Sequence, residues 1–82
     1  MNVSFKQAAL YGLFMRAQAE KSEALASLSI LLDHPAGIGD HSTEDLHRNL
    51  NDSLEKLVNA DDKINTIMSY FPEISNQTKN AV

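Results

Sequence analysis

Apolar residues recur along the first part of the chain at Leu10, Phe14, Ala17, Ala24, Leu28 and Leu31. The steps alternate between three and four once Lys21 is counted in its slot, which is the spacing of one face of an α-helix. Tyr11, Leu25 and Leu32 widen that face on one side and Leu13 widens it on the other. Alanines at 8, 9, 17, 19, 24 and 26 add helix propensity. Ser4-Phe5-Lys6-Gln7 fits a capping box, in which Ser4 accepts from the Gln7 amide and Gln7 reaches back to Ser4. Gly12 falls on the far side of the stripe and is tolerated there at about 1 kcal/mol. The first helix is predicted over about residues 4–32.

A second pattern runs Leu46, Leu50, Leu54, Leu57, Val58, Ile64, Met68 and Phe71, with Asp61 in a core-spaced slot between Leu57 and Ile64. Ser42 is the expected cap, and Glu44 and Asp45 place negative charge on the positive end of the helix dipole. Pro72 ends the pattern, because it pushes Phe71 out of helical backbone angles. This helix is predicted over about residues 43–71. Beyond it, residues 73–82 are polar apart from Ile74 and the last two positions, and read as a flexible tail.

Between the two patterns lies Asp33-His34-Pro35-Ala36-Gly37-Ile38-Gly39-Asp40-His41-Ser42-Thr43. Pro35 stops the first helix, Gly37 and Gly39 permit a tight reversal, and Ile38 is expected to plug the open end of the pair. Residues 1–72 therefore form one all-α unit, an antiparallel two-helix hairpin with its turn at 33–43. Rods of equal length, about 43 Å each, set residue i near residue 75 − i in this reading. Leu25 then meets Leu50, Ala17 meets Val58 and Leu10 meets Ile64. Arg16 is close enough to pair with Asp61, and Lys21 falls near Leu54 and Glu55. The two core-spaced charges, Lys21 and Asp61, read either as an ion pair at the seam edge or as a device that fixes alignment.

Each helix carries an apolar face wider than one neighbour can cover. Tyr11, Leu13, Ile30, Ile67 and Tyr70 lie at or beyond the edge of the seam and are the candidate self-association residues. A homodimer or higher even oligomer, built as a four-helix bundle, is the expectation. Tyr11, Phe14, Tyr70 and Phe71 gather towards one end of the rods, where core packing or a partner patch would use them.

Composition narrows the function. There is no cysteine, which removes disulfides, thiolate metal sites and Cys nucleophiles. Net charge is −4, unevenly spread: residues 1–32 carry +1 and residues 33–82 carry −5. No cationic cluster exists to displace the counterions of a nucleic acid or to hold an anionic membrane. No apolar run approaches the about 20 residues of a membrane span, and the N-terminus lacks a signal-peptide pattern. A cytoplasmic chain is the expectation.

The turn offers Asp33, His34, Asp40 and His41, with His47 on the helix beyond. Carboxylates and imidazoles bind divalent metals, and two Asp-His pairs converging across a bend form the alternative reading of this chain. None of the spacings is a strong metal signature, and the same residues suit a solvated loop. Gly37-Ile38-Gly39 lacks the preceding strand and following lysine of a phosphate cradle. Ser42 and Thr43 have His41 and Asp45 nearby, yet capping explains them without nucleophilic chemistry, and two helices offer little concave space. The chain reads as non-enzymatic and without a cofactor.

The turn His34-Pro35-Ala36-Gly37-Ile38-Gly39-Asp40-His41, entered from Ile30-Leu31-Leu32, resembles one in small helical proteins of tailed phages of the large myovirus type, marine ones among them. Those proteins share the plan of an apolar helix, a Pro-x-Gly-Ile/Val-Gly-acid-His turn and an acidic helix. The matching segments of that helix are Glu55-Lys56-Leu57 and Asp61-Asp62-Lys63-Ile64. The resemblance covers roughly residues 28–67, and His34 stands where that turn has Asn. It implies a phage or environmental origin and the host cytoplasm, and it brings no activity. The resulting expectation is a phage-type accessory factor that acts through self-association and contacts with another protein.

Overall fold

The computed structural model describes residues 4–33 and 43–75. Two helices make up the fold, α1 over Phe5–Asp33 and α2 over Thr43–Tyr70. They run antiparallel as an elongated rod with extents of 54 × 22 × 17 Å. The hairpin and both helix spans agree with the sequence reading to within a residue or so. Among the described residues there is no strand, and no helix is long and apolar enough to cross a membrane.

The N-terminus of α1 forms as its sequence dictates. The Gln7 amide donates to Ser4 Oγ at 3.1 Å, and the Ser4 amide donates to Gln7 Oε1 at 3.2 Å. Both partners of the capping box are thus in place, and two donors that the helix leaves orphaned are satisfied. Gly12 is exposed, and a Cβ there would meet nothing within 4 Å. Glu44 and Asp45 occupy the first turn of α2, as expected.

The inner face of α1 matches the pattern in the sequence. Leu10, Phe14, Ala17 and Ala24 are buried, and Lys21, Leu28 and Leu31 are half-buried in the intervening slots. The inner face of α2 departs from it. Leu54, Val58 and Met68 are exposed, at 49%, 48% and 36%. Ser53 and Ala60 are buried instead, with Leu46, Leu50, Leu57, Ile64, Ile67 and Phe71 half-buried between and beyond them. Ala60, not Asp61, fills the slot between Leu57 and Ile64.

The physical reason is size. Ala17 and Ala24 are seven residues apart on α1, and Ser53 and Ala60 are seven apart on α2. The separation of packed helices follows the side chains at their contact. Ala24 and Ala60 meet across the seam, and with the small residues taking the inner slots the larger Leu54 and Val58 stand at the rim.

Register also differs from the sequence reading. Lys21 Nζ lies 3.0 Å from Asp61 Oδ1, and Lys63 Nζ donates to Glu20 Oε1 at 3.1 Å and Oε2 at 3.3 Å. These pairs set residue i near residue 82 − i, about one seven-residue repeat away from 75 − i. The level pairings of Leu25 with Leu50 and Ala17 with Val58 are accordingly replaced, while Ile64 still packs on the cluster that holds Leu10. Arg16 is exposed, and Lys21 rather than Arg16 takes Asp61.

With this register the first turns of α1 lie level with residues beyond Pro72. The Phe71 amide still bonds to Ile67 O at 2.8 Å, and the Ile74 amide donates to Phe71 O at 3.1 Å. Ser75 Oγ donates to Pro72 O at 2.8 Å and closes the turn. This delivers Ile74, 2% exposed, onto Leu10 and Phe14, with Tyr11, Ile64, Ile67 and Phe71 packed around them. Lys6 covers the outside, 3.6 Å from Glu73 and 5.5 Å from the centre of the Phe71 ring. Ile74 is thus a core residue and not part of a polar tail, while residues 76–82 lie outside the described residues.

Candidate interaction surface

Most of the turn residues singled out in the sequence lie outside the described residues: His34, Pro35, Gly37, Ile38, Gly39, Asp40, His41 and Ser42. Asp33 closes α1 and is exposed, and His47 is exposed on α2. Among the described residues no three His, Asp or Glu side chains gather closely enough to hold a metal ion.

The five self-association candidates do not share one face. Tyr11 and Ile67 pack against the Leu10–Phe14–Ile74 cluster and serve the hairpin's own core. Leu13, Ile30 and Tyr70 are exposed at 51%, 61% and 75%. Of the aromatic group near one end, Phe14 is buried and Tyr11 and Phe71 pack beside it, whereas Tyr70 points to solvent.

The two long edges of the rod differ in chemistry. One is marked by the Glu20–Lys63 bridge. Glu23 and Lys56 join that pair around a groove of about 380 Å³ floored by Ala24 and Ala60. Leu13, seven residues before Glu20, lies on the same edge and lines a hollow with Lys63 and Ile67. This edge thus carries a charged groove and, beside it, a more apolar hollow at Leu13 and Ile67.

The other edge is marked by the Lys21–Asp61 bridge, whose side chains are 40% and 44% exposed. Leu25 is one helical turn beyond Lys21, and Leu32 is seven residues further. Val58 and Leu54 are three and seven residues before Asp61. Because the helices are antiparallel, advancing along α1 from Lys21 means going back along α2 from Asp61. Leu25 therefore lies on the same edge and at the same height as Val58 and Leu54. A shallow hollow on α2 alone is lined by Leu54 and Val58 with Glu55 and Asn59. On the other side of the ion pair the edge continues through Met68, seven residues beyond Asp61, towards Tyr11. Exposures of 45% at Leu25, 63% at Leu32, 49% at Leu54 and 48% at Val58 make this an apolar stripe around one salt bridge.

The sequence reading had these leucines and Val58 in its list of apolar positions but assigned Leu54 and Val58 to the seam. The signal that separates the alternatives is the pair of seven-residue repeats of small residues. Those repeats claim the centre of the seam and push the next apolar column to its rim.

No protein-family model, no curated protein and no solved structure matches the chain.

Proposed function

We propose that this protein is a non-enzymatic helical hairpin that works by self-association and by contact with another protein. The observation that carries this reading is the apolar surface left open on α1. Phe5, Leu13, Met15, Leu25, Ile30 and Leu32 are all exposed, on several sides of one helix. A helix that is apolar nearly all round is ordinarily a buried one, and α2 covers a single face of it.

Pairing two hairpins into a four-helix bundle covers surface of this kind.

The outer face of α2 supplies a second type of contact. Asp52, Glu55 and Asp62 are exposed and spaced along it. After self-association this acidic face remains open, and it suits a partner with a basic surface. On the resemblance of residues 28–67 to small helical phage proteins, the setting we propose is the host cytoplasm and the role that of an accessory factor.

Light scattering on a sizing column, across a tenfold range of concentration, tests the reading. The expected mass is twice 9.1 kDa, or a higher even multiple. A monodisperse monomer at micromolar concentration removes the proposal.

A further inference from the structure

We infer that a second copy of this chain docks on the Leu25–Leu54–Val58 edge, and that Lys21 and Asp61 exchange partners between the two copies there. This rests on the self-association proposed above and adds which face is used and in what orientation.

The first ground is the arrangement of the edge. Its ion pair has one cation on α1 and one anion on α2 at the same height, 3.0 Å apart. Symmetric dimers use the same patch twice, so the patch must complement itself. A two-fold axis parallel to the rods sets α1 of one copy over α2 of the other, with heights unchanged. Lys21 then faces the second copy's Asp61, and Leu25 faces its Val58 and Leu54. Every neighbouring pair of helices in the resulting bundle is antiparallel. A two-fold axis perpendicular to the rods at this height sets Lys21 over Lys21 and Asp61 over Asp61, which is repulsive.

The second ground is the contrast between the edges. The opposite edge already has its carboxylate held by both oxygens, since Lys63 donates to Glu20 Oε1 and Oε2. That edge is rimmed by further charge at Glu23 and Lys56. The edge proposed as the interface offers exposed Leu25, Leu54 and Val58 around one bridge, between Lys21 and Asp61 at 3.0 Å. Charge at one point of an apolar seam fixes register and partner number. The two side chains of that bridge are still 40% and 44% exposed, which leaves both open to a partner from a second copy.

Sizing with light scattering on the full chain separates the outcomes. The wild type is expected at two chains or more, Leu54→Lys at one chain with unchanged helical circular dichroism, and Leu13→Lys, on the opposite edge, still associated. A monomeric wild type overturns self-association itself. A wild type and a Leu54→Lys variant that both associate overturn the assigned edge and leave self-association standing.

A charge-exchange pair tests the contact even if Leu54→Lys unfolds. Lys21→Asp gives a chain with two anions at the bridge, and Asp61→Lys gives one with two cations. Each alone is expected to associate at least about tenfold more weakly than the wild type, and the equimolar mixture is expected to recover the loss. Repulsion within a chain persists in the mixture, so recovery reports contacts between chains. A mixture that associates no better than its components overturns the exchange.

Discussion

Lys21 and Asp61, each given a different neighbour by the sequence, Glu55 and Arg16, are one another's partner across the hairpin, at 3.0 Å. Lys21 occupies a seam slot on α1, and Asp61 flanks the seam on α2 beside buried Ala60. Both side chains are well exposed within a single hairpin, so water screens the pair. A double-mutant cycle with Lys21→Ala and Asp61→Ala, followed by urea denaturation of the monomeric Leu54→Lys background, is expected to give a coupling of about 0.2–1 kcal/mol. On the self-association proposed above, a larger coupling is expected in the wild type at concentrations where it pairs.

Gly12→Ala is expected to stabilise the fold by about 1 kcal/mol. The position is in the interior of α1, is exposed, and has open space where the methyl group would go. Thermal or urea denaturation reads the change directly. An unchanged or lowered midpoint would mean that the absent side chain matters to a contact outside the hairpin.

Ile74→Ala is expected to destabilise by about 2–4 kcal/mol, although the residue lies past the end of α2. Its side chain is 2% exposed and is packed on Leu10 and Phe14. Phe5→Ala, at a position 88% exposed, is expected to fall within about 0.5 kcal/mol of the wild type in the isolated hairpin. Equal effects at the two positions in urea titrations would refute this assignment of the core.

Ala60→Leu is expected to destabilise by about 1–3 kcal/mol, despite adding apolar surface. Ala60 is 1% exposed, as is Ala17, so a leucine there must either press on α1 or turn out into the groove beside it. The same change at exposed Ala19 is expected to be nearly neutral. Comparing the two midpoints isolates crowding from helix propensity.

The hairpin itself was legible from spacing, caps and punctuation: Ser4 with Gln7 at one end and Pro35 with the glycines after α1. The inner face of α1 was legible because its apolar positions form a single column. That of α2 was not, because two apolar columns compete. Leu54, Val58 and Met68 are the larger side chains, and reading hydrophobicity favours them over Ser53 and Ala60. The choice depends on Ala17 and Ala24 across the seam, information that no local window contains. Register failed for a related reason. A slip of one seven-residue repeat restores every side chain to the same face of its helix, so face patterns cannot detect it. Treating Ile74 as tail removed the residue that would have anchored the far end. The exposed column of Leu54 and Val58 was missed along with the seam, since a residue assigned to the inside is not sought on the surface.

The packing of Ile74 on Leu10 and Phe14 bears on the order in which the hairpin can close. Leu10 lies near the start of α1 and Ile74 past the end of α2, so their contact closes one of the longest loops in the fold. Loop closure must be met before such a distant contact rewards it. Burial of Ile74 therefore reports closure of the whole rod, where a contact nearer the bend would report only part of it.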